Sequence, residues 1–184
     1  MSSSAQSVHQ EFIARSYLFV PGDRPDRFDK ALAAGADAVI IDLEDAVAPA
    51  KKNEARAAIG RWLSADKRVI VRINADTSEW FREDLALARK DGVAGIVLPK
   101  AENLDAGLQA LCAESGKFLL PLIETAQGFE NAYTLASTPG VQRLLFGTLD
   151  FQMDLGIDGE GDELAYFRSE LGWVLRRGGS EGRG

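Results

Sequence analysis

Charged and polar residues stand at the ends of the apolar runs in this sequence, and their types are those that bind metal ions and acidic substrates. They are Asp42, Glu44 and Asp45, then Arg72 and Asn74, then Lys100 and Glu102, then Glu124 and Thr125, and finally Asp150. If the runs are parallel strands, these side chains share one rim, because ligands in such folds bind at the carboxyl ends of the strands. Carboxylates at a buried rim are costly without a partner or a metal, so the set favours a functional site over unrelated ion pairs.

Glu124 and Asp150 are the residues of this set that best suit a metal ion. They end neighbouring predicted strands, about 4.8 Å apart in a sheet, where two carboxylates repel each other unless a cation bridges them. The chain has one histidine, His9, and one cysteine, Cys112. This disfavours histidine-dependent nucleophilic catalysis and excludes a metal cluster held by cysteines. Oxygen ligands for Mg²⁺ or Mn²⁺ remain.

The two basic residues of the set each admit two interpretations. Arg72 could hold a substrate carboxylate with both arms of its guanidinium, or it could form an ion pair with the acidic cluster at 42–45. Lys100 could form a Schiff base with a carbonyl substrate, or it could be a plain cation of the rim. The residues alone leave both choices open.

The elements that would position these side chains are six buried strands separated by amphipathic segments. The apolar runs are almost continuously hydrophobic, as parallel strands covered on both faces are. The segments between them, such as SEWFREDLALARKDG and NLDAGLQALCAESG, are typical of helices. Ser78 is the predicted N-cap and Gly92 the predicted C-cap of the first of these. The predicted strands lie at 17–22, 37–45, 68–74, 95–100, 118–125 and 143–151.

Alternating strands and helices predict an α/β fold, for which two architectures are open. One is a doubly wound open sheet, but PGDRPDRF and not the GxGxxG of a dinucleotide fold follows the first strand. The other is a (β/α)8 barrel of the TIM type, which takes about 250 residues. Since the chain has 184 residues, we predict a single domain that is an incomplete barrel with about six βα units.

Composition argues against several other classes of protein. With 46% hydrophobic and 27% charged residues, the chain is predicted to be globular. Its net charge of −7 gives no general attraction to nucleic acids or anionic membranes. No apolar run reaches the roughly 18 residues that cross a bilayer, and the first residues lack the apolar core of a secretory signal. We therefore predict a cytoplasmic protein.

A series of motifs matches the order and spacing of a known family. The motifs, over about residues 15–169, are RSYLFVPGDRPDRFDKALAAGADAVIIDLEDAV, VRIN, IVLPKAE, PLIETAQG and LLFGTLDFQMDLGI. Together they resemble the citrate lyase β-subunit-like group of the HpcH/HpaI aldolase family. The resemblance implies a TIM barrel, Mg²⁺ as cofactor and homo-oligomers such as trimers or hexamers. It also implies that a short 3-hydroxy acid thioester, of the citryl, malyl or citramalyl type, is cleaved to or formed from an oxo acid and an acyl thioester.

The same resemblance implies roles for the rim residues. Glu124 and Asp150 would be the Mg²⁺ ligands. Arg72 would contact the carboxylate or keto oxygen of an oxaloacetate-like or glyoxylate-like fragment. Glu44 and Asp45 would take part in catalysis by holding Arg72 or a metal-bound water.

Three further residues are implicated in substrate binding. Asp42 would line the pocket, and Lys100 matches the family's LPK motif, in which metal chemistry and not a Schiff base is the rule. Arg24 would lie near the thioester carrier, which is CoA or an acyl carrier protein. Because the chain is acidic, a CoA site would need local cations such as Arg24 or Lys52.

The resemblance fades near Leu171, and the segment GGSEGRG stands where full-length relatives continue with further strands. We predict a disordered leader at 1–14, a C-terminally truncated barrel domain at 15–177 and a flexible tail at 178–184. Three functions stay open. The chain is a thioester lyase, a metal-dependent aldolase that releases pyruvate from a free hydroxy-oxo acid, or an inactive fragment that binds only metal and oxo acid or a full-length partner.

Overall fold

Strands and helices alternate along the chain, as the apolar pattern predicts. The structure is a computed structural model and describes residues 14–159 and 161–181. Its strands are β1 Tyr17–Pro21, β2 Ala38–Asp42, β3 Val69–Arg72, β4 Val93–Leu98, β5 Phe118–Ile123 and β6 Leu145–Phe146. Its helices are α1 Phe28–Leu32, α2 Lys52–Trp62, α3 Phe81–Ala88, α4 Ala106–Ser115, α5 Ala126–Glu130, α6 Ala132–Ser137, α7 Thr148–Leu155 and α8 Ala165–Glu181.

The six strands pair in parallel and in chain order, from β1 to β6. A doubly wound sheet reverses its strand order partway, so this order identifies a barrel-type sheet. The sheet curls and brings the segment before β6 to the segment before β1. There, Arg143 Nη1 donates to the carbonyl oxygen of Ala14 at 2.9 Å. The predicted incomplete (β/α)8 barrel is confirmed.

Two apolar layers stabilise the sheet, one on each face. The outer layer lies between the strands and the helices and includes the fully buried Phe28, Ile59 and Leu111. The inner layer is smaller and contains Ile40 and Val97, which come from different strands and are also fully buried. Successive residues of a strand point to opposite faces, so a strand between two apolar layers is apolar at nearly every position.

The structure corrects the predicted bounds of two elements. The sixth run was predicted as a strand over 143–151, but β6 has two residues and the chain turns into α7 from Thr148 onward. The helical turn lets Phe151 be fully buried against other aromatic rings. Helix α3 is flanked by Trp80 and Arg89, so the prediction that Ser78 and Gly92 cap it is wrong.

The ends of the described chain also differ from the sequence prediction. Ala14, assigned to a disordered leader, is 3% exposed. Helix α8 continues to Glu181, so the chain is helical across part of the predicted flexible tail at 178–184. The rest of the leader, 1–13, and residues 182–184 lie outside the described residues. Within the described residues, no helix is both long and apolar enough to cross a bilayer.

Candidate active site

Strand alternation directs three charged side chains toward the inner mouth of the sheet. Asp42, Arg72 and Glu124 each follow, by two positions, a residue of the inner apolar layer. Because the side-chain period of a strand is two, they share the inner face with that layer. The register places Asp42 directly beside Arg72 on neighbouring strands.

Arg72 forms an ion pair with the acidic cluster, which is one of the two interpretations that the sequence left open. Its Nε and Nη2 donate to the two carboxylate oxygens of Asp42 at 2.7 and 2.6 Å. The same oxygens accept the backbone N–H groups of Glu44 and Ala46 at 2.8 and 3.1 Å. With its side chain 2% exposed, Asp42 is a buried carboxylate that orients one edge of the guanidinium.

The remaining arm of Arg72 faces the other two acidic residues of the cluster. Nη1 lies 3.1 Å from Glu44 Oε2 and 3.5 Å from Asp45 Oδ2. The guanidinium also lies over the ring of Phe19, at 5.3 Å from the ring centre. The side chain of Asp45 is 57% exposed, whereas that of Glu44 is 10% exposed. Nη1 therefore joins Arg72 to one buried and one exposed carboxylate of the cluster.

Lys100 connects three carboxylates of the rim. Its backbone N–H donates to Glu124 Oε2 at 2.9 Å, and its Nζ lies 2.9 Å from Glu44 Oε1 and 3.2 Å from Asp150 Oδ2. Its φ of +48° is in the left-handed region, which a non-glycine residue rarely adopts. Burial lowers the pKa of Lys100, but Glu44 and Asp150 outweigh it and raise that pKa above its usual value. The ammonium form is thus favoured, which disfavours a Schiff base.

Glu124 is a buried carboxylate at the centre of the rim. It is 4% exposed, and its pKa is raised from 4.5 to about 7. Burial is the main cause; the carboxylates of Glu44 and Asp150 raise the pKa further, and the Lys100 N–H and ammonium lower it. Burial likewise raises the pKa of Glu44, against the hydrogen bond from Lys100. Burial destabilises the charged form of both carboxylates, so a cation bound beside them would stabilise that form.

A depression of about 350 Å³ opens beside these residues. Four residues of the predicted rim line it, together with two that the sequence analysis did not assign to the site, Met153 and Asp154; the four are Lys100, Glu124, Thr125 and Asp150. Asp154 Oδ2 accepts the N–H of Ala126, the first residue of α5, at 2.7 Å. The predicted sixth strand ended at residue 151, so Asp154 lay outside it; in the structure both Asp150 and Asp154 belong to α7, where residues four apart are neighbours on one face.

The structure does not bring every predicted residue to this cluster. Arg24 is exposed and pairs with Asp26 at 3.0 Å, beside a groove of about 480 Å³ that Phe19 and Lys30 also line. Lys52 is 5% exposed, so the idea that it is a surface cation for CoA is wrong.

This fold and rim define the class: a TIM-barrel-type protein with an arginine–carboxylate site at the mouth of its sheet. The family model for HpcH/HpaI aldolase/citrate lyase matches residues 15–176, and the chain belongs to this family. The family resemblance drawn from the motifs is therefore confirmed.

Similar proteins include two from Cereibacter sphaeroides. The (3S)-malyl-CoA thioesterase is 36% identical over 91% of this chain and 60% of its own length. The L-malyl-CoA/β-methylmalyl-CoA lyase is 35% identical over 80% of this chain and 52% of its own length. The chain thus spans less than two thirds of either relative.

A similar solved structure is the citrate lyase β subunit of Mycobacterium tuberculosis, complexed with oxaloacetate and magnesium. It has a TM-score of 0.72 and 32% identity, and the match covers 90% of this chain and 74% of that chain. It agrees with the fold seen here and with magnesium as the metal predicted for the family.

Proposed function

We propose that the protein is a Mg²⁺-dependent carbon–carbon lyase that cleaves or forms a short 3-hydroxy acid thioester, releasing an oxo acid and an acyl thioester. The observation that carries this proposal is the convergence of Glu44, Glu124 and Asp150 on Lys100, beside Arg72. The relatives that act on malyl-CoA and the citrate lyase subunit that binds oxaloacetate and magnesium support it.

Glu124 and Asp150 are the residues that would hold the Mg²⁺. Among the described residues, no group of three or more His, Cys, Asp or Glu has metal-holding geometry. Two carboxylates are nevertheless an adequate protein contribution, since Mg²⁺ often binds one or two and keeps its other positions for water and substrate. When bound, the ion polarises substrate oxygens and lowers the barrier to removing a hydroxyl proton. Glu124 fits, because a buried carboxylate with a raised pKa is stabilised by such an ion.

Arg72 binds the carboxylate of the oxo-acid part through N–H groups that its two hydrogen bonds to Asp42 leave free, since a guanidinium has five donors. Its fixed positive charge stabilises the negative charge that develops on this fragment during cleavage. As a carboxylate takes the hydroxyl proton, the hydroxyl carbon becomes the carbonyl of the oxo acid and the carbon–carbon bond breaks. The electron pair moves to the carbon next to the thioester carbonyl, which then takes up a proton. Glu44 and Asp45 lie beside Nη1 and are the carboxylates placed to exchange protons with the substrate.

Thioester hydrolysis is the second candidate function, since a relative at 36% identity is a malyl-CoA thioesterase. The two reactions give different products from one substrate. The lyase converts malyl-CoA into glyoxylate and acetyl-CoA, whereas the hydrolase converts it into malate and free CoA.

Incubation with malyl-CoA, with Mg²⁺ or EDTA, tests both functions when all four products are quantified by chromatography; citramalyl-CoA, which cleavage would convert into pyruvate and acetyl-CoA, serves as a second thioester. We expect Mg²⁺-dependent glyoxylate and acetyl-CoA, lost in Asp150→Asn and kept in the exposed control Glu130→Gln. Malate and free CoA alone would replace the lyase by the hydrolase. Free hydroxy-oxo acids are tested as a further substrate. If no thioester gives a product, both functions are rejected.

Gly147 provides a geometric test of the proposed metal carboxylate. A Cβ at this position would lie 2.5 Å from both Cγ and Oε1 of Glu124, so Gly147→Ala should displace that carboxylate. We expect Mg²⁺ affinity, measured by titration calorimetry, to fall about 10-fold, as when the supports of metal ligands are disturbed. The matched control is Gly172→Ala, where nothing lies within 4 Å of the added Cβ. Equal affinities in the two variants would argue against Glu124 as a ligand.

The acyl carrier and the assembly complete the proposal. Arg24, with Lys30 across the same groove, would approach the phosphates of CoA or of an acyl carrier protein. The family resemblance supports a homo-oligomer, a trimer or a multiple of it. The net charge of −7 and the lack of a bilayer-length apolar run or a secretory signal in the sequence support a cytoplasmic protein with no nucleic-acid or membrane partner. Light scattering during size-exclusion chromatography measures the oligomeric state directly.

A further inference from the structure

Lys52, the first residue of α2, is a buried lysine whose charge has no direct carboxylate partner in the contacts that hold it. It is 5% exposed. Its Nζ donates to the carbonyl oxygens of Leu43 and Glu44 at 2.8 and 2.9 Å and to Asn74 Oδ1 at 2.6 Å. An ammonium has three donors, and these bonds use all of them.

The bonds continue through Asn74 into the outer helices. The backbone N–H and Nδ2 of Asn74 both donate to Asp84 Oδ2, at 2.9 and 2.6 Å. Asp84 is fully buried, and its Oδ1 accepts from Arg56 Nε at 2.8 Å. Lys52 is thus linked through an amide to a buried carboxylate that also pairs with Arg56, and the chain of bonds fixes α2 and α3 to the sheet.

The acceptors of Lys52 connect this network to the rim. Leu43 and Glu44 directly follow β2, and the side chain of Glu44 contacts Arg72 and Lys100. Asn74 follows β3, two residues after Arg72. One ammonium therefore ties together the two strand ends that carry Glu44 and Arg72.

A methionine would fill nearly the same space as Lys52 without the penalty of burying a charge. The contribution specific to the ammonium is the set of bonds to the two carbonyls and the amide. We propose that Lys52 is a positioning residue of the active site, which holds the segment 43–46 in the conformation that presents Glu44 and Asp45 to Arg72. This inference rests on the proposed function only for its catalytic consequence.

Hydrogen exchange measured by NMR tests the positioning role without any substrate. The N–H groups of Glu44 and Ala46 donate to the carboxylate of Asp42, and that of Asp45 donates to the carboxylate of Glu44. In Lys52→Met we expect them to exchange at least about 10-fold faster, through local opening that leaves the β4 and β5 amides unchanged.

The matched control is Ile59→Ala, a fully buried position in the same helix that makes no bond to the segment. It should lower the melting temperature without selective exchange at residues 44–46. Lys52→Gln keeps two of the donors and should give an intermediate rate, which also serves if Lys52→Met does not fold. Equal exchange in the Lys52 and Ile59 variants would overturn the proposal.

A second measurement separates this proposal from the proposed function. Calorimetry with oxaloacetate and Mg²⁺ should show at least about 10-fold weaker binding by Lys52→Met than by Ile59→Ala. The reason is that the segment 43–46, no longer held by Lys52, must be ordered when the ligand binds. Selective exchange with no oxaloacetate binding by the unmodified protein would reject the proposed function and keep the positioning of the segment. Unchanged exchange would reject the positioning role, whatever the activity.

Discussion

Replacing Arg72 by methionine is expected to lower the free energy of unfolding by about 3–5 kcal/mol, because it leaves a buried carboxylate without its charged partner. That carboxylate is Asp42, whose side chain is 2% exposed and whose oxygens both accept from the guanidinium. Glu44, also buried, loses a second contact at 3.1 Å. Urea unfolding followed by circular dichroism measures the change.

The same substitution should lower thioester cleavage by at least about 100-fold, since fixed charge at a developing anion contributes on this scale. Arg72→Lys separates charge from geometry: one ammonium cannot reproduce the two-bond contact with Asp42, so an intermediate loss is expected. The control is Arg89→Met, which removes an exposed pair with Glu114 and should change stability by less than about 1 kcal/mol. Similar stability of the Arg72 and Arg89 variants would show that the Asp42 pair is unimportant.

Much of the site can be deduced from strand periodicity alone. An apolar residue of a buried strand followed two positions later by Asp42, Arg72 or Glu124 marks an inward-facing charge at the carboxyl end. Because the strands are parallel and pair in chain order, these residues meet without any knowledge of the loops. The resemblance to the family then supplied the metal and the substrate class, which periodicity cannot.

Other features depend on contacts that a sequence pattern does not encode. Asp150 belongs to the first turn of α7 and reaches the rim from a helix and not from a strand end. Lys100 contacts three carboxylates from a left-handed backbone, a conformation disfavoured for lysine by local sterics. Lys52 is the first residue of α2, which has both polar and apolar residues. Its buried ammonium donates to oxygen atoms of Leu43 and Asn74, which follow β2 and β3. Tertiary context decided each of these positions.

Glu124→Gln is expected to stabilise the metal-free fold at alkaline pH while abolishing Mg²⁺ binding. The pKa of Glu124 is about 7 in the folded protein, against an ordinary value of 4.5, chiefly because the carboxylate is buried. A raised carboxyl pKa means that the folded state holds a proton which the unfolded state releases. Its stabilising effect is complete below pH 4.5 and is lost as the pH rises to about 7.

In EDTA, the free energy of unfolding of the unmodified protein should therefore fall by about 3 kcal/mol between pH 4.5 and pH 8, relative to that of Glu124→Gln. Glutamine can still accept the Lys100 N–H but carries no charge to desolvate. With Mg²⁺ at pH 8 the unmodified protein should become more stable than Glu124→Gln, since the ion stabilises only a protein that binds it. The exposed control Glu130→Gln should respond to neither pH nor Mg²⁺ differently from the unmodified protein.

A Glu124→Gln variant that is less stable than the unmodified protein at pH 8 in EDTA would contradict the raised pKa. If that variant gained the full Mg²⁺-dependent increase in melting temperature, the metal would not be held by this carboxylate.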